Sequence, residues 1–510
     1  MNWKKYKSLP AAEKRSEAFY IIGLDLGSDS TGMAFYNMAT NSPESIDLSG
    51  GYGKPSIPTV MQYIPETKEW VFGEYAVLNR GAGTEITLYS LVERLGQFDY
   101  IDVDRRSLSV AGILALFIKE ILGNVRNINP KAEIVGIVAT VPAYFSDQAY
   151  EELHRAFKLA GYEKELIALV PDRECVLAHY FNTAPQQAGH VLLLDFGARE
   201  LRGGLYNITT TDTGVLATSM SSLFSDAIGM IKINNDICEF FGDFVREETA
   251  HKPRQLRDQI TAFSYQHRDM LFQKNIRTRP IKAYFNFTYP PFQQTITHEN
   301  VQSLMRPYTR RFDGFVRDVL GKSISDTRLT PGNVDAVLCV GGGFEMLWAR
   351  EAVTALFENV HFYKNPKMVT CEGAAIVAAR ALDITNKSLT LEDRHQLTGD
   401  IGLADGQNFL PLVERNAFWW QNHPAKLVIV NQDVDSGLKL NLCTRNKVGE
   451  VHSIGNMLLG ELPARPKGVT RLEVAVHFES NADIVLTVRD AGFGEMFPKV
   501  EYEREVRLRL

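Results

Sequence analysis

Apolar and polar positions alternate in two rhythms along the first part of the chain. "YIIGLDLGSDSTGMAFYN" (residues 20–37) reads as a strand, a tight turn and a second strand. "EIVGIVATVPAYF" is a β-branched run ending in a proline turn, the composition of a buried parallel strand. "DQAYEELHRAFKLAGY" has helical spacing, with Gly161 where a C-cap glycine belongs. "LIALVPD" is a further short strand, and "RECVLAHYF" continues as a helix. Strands alternating with helices argue for an α/β architecture built on central sheets.

The pattern then returns. "HVLLLDFGARELRGGLYNITT" again gives strand, acidic residue, glycine turn and strand. Residues from about 228 to 320 are helix-rich, interrupted by the alternating "RPIKAYFNFTYP". "VDAVLCVGGGFEML" reads as strand, triple glycine and helix, and "VTCEGAAIVAARAL" as a helix with small residues suited to close packing. The polar residues 1–18 are expected to form a loosely held arm, and residues 386–399 a linker. From 400 to 510 short alternating strands and turn signals predict an all-β domain.

Composition narrows the function classes. The 510 residues are 45% hydrophobic and 23% charged, with a net charge of −6. That balance argues against a nucleic-acid binder and against an anionic-membrane binder, which need a basic face. Five scattered cysteines with no C-x-x-C read as reduced thiols. With neither a leader-like apolar segment at the start nor an apolar run of membrane-spanning length, the expected location is cytoplasmic. The histidines show no metal-ligand spacing.

Three glycine-bearing turns follow buried strands: Asp25-Leu26-Gly27-Ser28, Asp195-Phe196-Gly197-Ala198 and Gly341-Gly342-Gly343. Backbone N–H groups approach phosphate where no Cβ intervenes, and a carboxylate at each of the first two strand ends suits a hydrated Mg²⁺ between phosphates. Neither a Walker A loop nor a Rossmann fingerprint is present.

The order "IIGLDLGSDSTG", "IVATVPAYFSDQ", "LVPDRECVLAHYF", "LLLDFGARELRGGLY", "VLCVGGGFEM", "NPKMVTCEGAA" resembles the 70-kDa heat-shock chaperones of the actin-like ATPase superfamily. "FLPLVERN" and "LLGELPARPKGVTRLEVAVHFESNADIVLTVRD" resemble that family's peptide-binding β-domain. The resemblance implies an α/β two-lobed actin-like ATPase domain over 19–385, followed by an all-β sandwich over 400–510 without a helical lid. It implies ATP or ADP with Mg²⁺ as cofactors. Asp25 and Asp195 then stand near the metal, with Asp195 and Asp172 in catalytic roles, Asp172 replacing the family's glutamate. Gly27, Ser28 and Asp29 match the first phosphate loop, and Gly341, Gly342 and Gly343 the adenosine-side turn. His267 and Arg268 match a lysine–arginine pair on the nucleotide.

The same alignment shows departures. The second phosphate loop has Gly197 but then Ala198, Arg199, Glu200 and Arg202 in place of small hydroxyl residues. Val92 falls where the family has its catalytic lysine. Either Arg199 and Arg202 take over phosphate contacts, or they pair with acids across an emptied cleft. Hydrolysis is accordingly expected to be weak or absent. In the β-domain, Phe409, Leu438 and Leu440 fall near the peptide pocket, although their alternation also fits core-facing strands. The aromatic run "FWWQN" (418–422) reads as sheet packing or as an apolar contact site. The expected partner is an unfolded or extended polypeptide, or one dedicated protein. Co-chaperone docking is not expected, because Ala168 stands where the family has an arginine. The alternative is a nucleotide-independent scaffold binding through the β-domain.

Overall fold

The computed structural model describes residues 3–9, 14, 18–49, 55–78, 85–97, 99–142, 145–183, 188–211, 214–249, 256–271, 274–321, 329–385, 388–392, 397, 399–405, 408–415, 417, 423–435, 437–446, 449–478 and 483–509. The chain forms two compact units, 1–392 and 393–510.

The first unit is built from one motif used twice. Strands β1 (Phe19–Leu26), β2 (Ser30–Asn37) and β3 (Ser42–Ser45) form an antiparallel meander. Strands β4 (Glu133–Val141) and β5 (Leu166–Pro171) then join in parallel, giving the order β5-β4-β1-β2-β3, with Ser56–Pro58 pairing on β2. The second sheet repeats this with β6 (Gly189–Phe196), β7 (Leu201–Thr211) and β8 (Gly214–Ser225) as the meander. Strands β9 (Ala336–Val340) and β10 (Val360–Phe362) add in parallel. The sixth strand of this sheet, β11 (Ser388–Glu392), pairs in parallel with β8. Part of the segment expected as linker is therefore a strand: Leu389 and Leu391 pack against the core beneath this sheet.

Helices connect the parallel strands in both halves. Helix α1 (Val110–Gly123) starts at Ser109, whose hydroxyl accepts the Gly112 N–H at 3.1 Å. Helix α2 (Asp147–Ala160) is capped by Ser146 and ends at Gly161, in the left-handed region at φ 89°. Both pack their apolar faces on the first sheet. Helix α3 (Asp172–Thr183) follows β5 without a break. In the second half, α4 (Met230–Glu248), α5 (Arg257–Leu271) and α6 (His298–Gly321) share a core with the second sheet. Helix α7 (Val369–Ala381) closes the unit.

Helices α3 and α7 lie between the sheets. Cys371, Ala374 and Ala378 of α7 pack on the first sheet, while Val176, Leu177 and Phe181 of α3 pack on the second. The two helices approach backbone to backbone, since a Cβ on Gly373 would stand 1.8 Å from the Cys175 carbonyl oxygen. This is why α7 is written in small residues.

The N-terminal segment corrects the expectation of a loose arm. Trp3–Lys7 is helical, and Tyr6 is wholly buried with Ile21, Val135 and Leu382. Its ring meets Phe19 edge-on at 5.4 Å.

The second unit is a pair of four-stranded antiparallel sheets. One has Asn408–Val413, Asp400–Asp405, Gly437–Arg445 and Val451–Gly460 in that order. The other has Lys426–Ile429, Arg471–Phe478, Asp483–Asp490 and Glu503–Arg509. Both sheets contribute alternate residues to one core that includes Leu403, Leu442, Leu459, Leu472 and Leu486. Among the described residues no helix is long and apolar enough to cross a membrane.

Candidate functional site

The duplicated meanders place two aspartates equivalently. In the first hairpin Asp25 stands one residue before the end of β1, opposite Gly32 of β2. In the second, Asp195 stands one residue before the end of β6, opposite Arg202 of β7. The turns have equal length, so Gly27 matches Gly197, Ser28 matches Ala198, Asp29 matches Arg199, and Ser30 matches Glu200. The first hairpin keeps small residues where the second has Glu200 and Arg202.

Asp172, Asp195 and Glu200 gather around Arg202, and Asp25 is bound by Thr140. The Thr140 hydroxyl of β4 donates to Asp25 Oδ1 at 2.5 Å. Asp172 opens α3, and its Oδ1 accepts the Arg173 N–H at 2.7 Å. Asp172 Oδ2 accepts a hydrogen bond from Arg202 Nη1. The same nitrogen lies 3.9 Å from Asp195 Oδ2, while Arg202 Nε donates to Glu200 Oε1 at 2.7 Å. Arg202 is thus held on both edges, and the Glu200 side chain is only 8% exposed.

Burial dominates the acidity of the two aspartates. It pushes Asp25 up to about 6; the Thr140 hydrogen bond and Arg202 pull down, and Asp172 pushes up. Asp195 is pushed up to about 7, first by burial; Arg202 opposes this and Asp172, Asp25 and Glu200 add to it. The cluster holds more negative charge than one guanidinium offsets.

A second arginine joins the second hairpin to the segment beneath the first sheet. Arg199 Nε lies 2.6 Å from Glu93 Oε1, and its Nη2 donates to Ser90 Oγ at 2.7 Å. Val92, beside them, is 2% exposed and packed in the core under the first sheet. Its position therefore supplies no cation to the aspartates.

The glycine triplet after β9 is close to the cluster but filled by the chain. A Cβ on Gly341 would lie 2.5 Å from Asp195 Oδ1, one on Gly342 2.5 Å from Lys367 Cε, and one on Gly343 2.1 Å from the Phe196 ring. Gly341, at φ 87°, lets the Asp195 carboxylate approach the backbone. In the first turn Ser28 is half-buried and Asp29 exposed, and the Asp29 carbonyl accepts the Thr59 N–H at 2.9 Å.

His267 and Arg268 have partners within the helical region. His267 stacks on Phe263 at 3.9 Å among the aromatic side chains of the helical region. Arg268 donates to Asn234 of α4 at 3.4 Å. In the second unit Leu438 and Leu440 point into the sandwich core, at 5% and 8% exposure. Phe409 is half-buried beneath the Arg445 guanidinium, 4.4 Å from its ring centre. Residues 418–422 lie outside the described residues.

Sequence reasoning overlooked Thr140 and the register of Arg202. The second was accessible: Asp25–Gly32 and Asp195–Arg202 have the same separation around turns of equal length. In an antiparallel hairpin that puts the later residue directly opposite the carboxylate.

The donor set does not fit a divalent cation as it stands. A hydrated Mg²⁺ between the acids would have to displace a guanidinium anchored to both Asp172 and Glu200. Among the described residues, no three His, Cys, Asp or Glu side chains are grouped so as to hold a metal ion.

Comparison with known proteins adds three findings. Residues 42–222 match a model described as "Family of unknown function (DUF5716) C-terminal". Residues 401–510 match a "Domain of unknown function (DUF8552)", close to the limits of the second unit. A chaperone protein DnaK of Thermosipho africanus (strain TCF52B) is 23% identical over 497 residues, covering 93% of this chain and 79% of the relative. This is a distant likeness to the 70-kDa heat-shock family at most. A mixed α/β unit followed by a β-rich unit is compatible with a DnaK-like two-domain layout.

Proposed function

We propose that the chain is a divergent chaperone-like protein. Its first unit is an actin-like, two-lobed nucleotide unit with weak or absent hydrolysis. Its second unit binds extended polypeptide or one dedicated protein partner. The observation that carries the reading is the duplicated meander, with Asp25 and Asp195 at matched hairpin ends beside Asp172. The distant likeness to a DnaK chaperone over 93% of the chain supports the same assignment.

Weak hydrolysis follows from what the side chains already do. Phosphoryl transfer relies on positioned cations that stabilise charge as it develops. Val92 is apolar and buried, and Arg202 is committed to Glu200 and Asp172. Removing one such electrostatic group costs about 10²–10³ in rate.

The test pairs phosphate release with thermal shift on the purified full chain. ATP or ADP at about 100 times its Kd should stabilise by about 2.7 kcal/mol, and phosphate release should stay near background. Asp25→Ala should abolish the shift. Robust turnover, or a nucleotide shift that survives Asp25→Ala, would overturn the reading. Binding of a labelled unfolded polypeptide to the same protein tests the second unit.

A second reading is a nucleotide-independent scaffold. It is favoured by the Arg199 bonds to Glu93 and Ser90, which already join the second hairpin to the segment beneath the first sheet. The absence of any shift with ATP or ADP would select it.

A further inference from the structure

Three exchanges between the two hairpins change charge: Asp29 to Arg199, Ser30 to Glu200 and Gly32 to Arg202. Opposite Asp25 the first has Gly32, and opposite Asp195 the second has Arg202. The last of these exchanges places a permanent cation beside Asp172, Asp195 and Glu200. A guanidinium stays protonated throughout the accessible pH range and offers a planar fork of donors. Here one edge is bound by Glu200 at 2.7 Å, and a terminal nitrogen serves Asp172 and faces Asp195 at 3.9 Å. Pulling it away would leave the nearly buried Glu200 without its counter-charge, a costly state.

We propose that Arg202 is a built-in replacement for a divalent cation, so that this cleft works without a metal. Two consequences follow. The wild-type cluster has no use for Mg²⁺, because the charge and the donors are already supplied by the chain. An anionic ligand entering the cleft meets a fixed cation rather than an exchangeable one. Without Arg202, the carboxylates of Asp172, Asp195 and Glu200 lose the cation they share, and a divalent ion would restore it by drawing them together. The assignment of the cleft as a nucleotide site belongs to the reading above; the replacement of the metal is tested without nucleotide.

The experiment uses the full chain, freed of metal with EDTA, and follows its melting temperature and calorimetric heat on titration with MgCl₂ alone. Wild type should show neither a shift nor saturable heat. Arg202→Ala should melt lower in EDTA and recover by at least about 2 °C in millimolar Mg²⁺. Arg202→Lys, which keeps a cation, should remain indifferent to Mg²⁺. Saturable Mg²⁺ heat with wild type would overturn the proposal, as would an Arg202→Ala protein that folds but ignores Mg²⁺. If Arg202→Ala does not fold, the wild-type titration and Arg202→Gln decide on the same criteria. A failure of ATP to bind in separate titrations would sink the nucleotide reading and leave this result standing.

Discussion

Breaking the ion pair inside the second unit should cost that unit a large part of its stability. Arg465 and Asp490 have side chains 3% and 0% exposed. They are joined by Nη1–Oδ1 at 2.6 Å and Nη2–Oδ2 at 2.9 Å, and Nη2 also donates to the Pro498 carbonyl at 2.9 Å. Asp490 in turn accepts the backbone N–H groups of Gly492 at 3.3 Å and Val500 at 2.9 Å. Asp490→Ala removes both charge-assisted bonds, leaves the guanidinium with a single carbonyl, and strips two backbone donors of their acceptor. Removing one partner of a buried pair costs about 3–5 kcal/mol. A domain of this size has roughly 5–15 kcal/mol in total. Scanning calorimetry of the full chain should show the transition of the second unit falling by about 10–20 °C while that of the first stays in place. Burial alone would raise the Asp490 pKa, but the bonds from Arg465, Val500 and Gly492 outweigh it and hold the carboxyl below its ordinary value. Its contribution is therefore complete at neutral pH and is lost in acid, as pH falls from about 3.9 through the lower folded-state value. A loss under about 1 kcal/mol for Asp490→Ala would refute the reasoning, because it would mean the buried guanidinium finds other partners.

Two further outcomes follow from the first unit. Because burial raises Asp195 to about 7, the folded chain holds this proton more tightly than the unfolded one, so ionising Asp195 costs stability as pH rises from about 4 to 7. Asp195→Asn should therefore gain on wild type in melting temperature at pH 8 relative to pH 5; an equal difference at both pH values would remove the argument. Gly373→Ala should destabilise the first unit by at least about 2 kcal/mol in denaturant unfolding, since the new methyl would stand 1.8 Å from the Cys175 carbonyl oxygen of α3. A variant as stable as wild type would show that the α3–α7 approach is looser than described.

Much of the fold was legible because its signals are local. The β-branched run at Glu133–Val141, the C-cap glycine of Asp147–Ala160, and the strand–turn–strand around Asp25 and Asp195 all declare themselves in short windows. What was hidden depends on distant partners. Tyr6 reads as part of a polar arm until Ile21 and Leu382 are seen to bury it. Ser388–Glu392 is too polar to announce a strand, yet an open edge at β8 supplies its hydrogen bonds. The alternation around Leu438 and Leu440 could not distinguish groove from core; packing from the facing sheet turns both inward. At the candidate site, residue types pointed to the acids but not to their neutralisation. Arg202 could be read as a phosphate ligand or an acid's partner until Glu200 and Asp172 were found bound to it.

If Arg202 serves the proposed nucleotide site as its cation, nucleotide binding is independent of Mg²⁺. Calorimetric titration of the full chain with ATP, once in Mg²⁺ and once in EDTA, tests it most directly. Binding should be saturable, with the same affinity in both buffers. Binding that appears only with Mg²⁺, or no heat in either buffer, would contradict it.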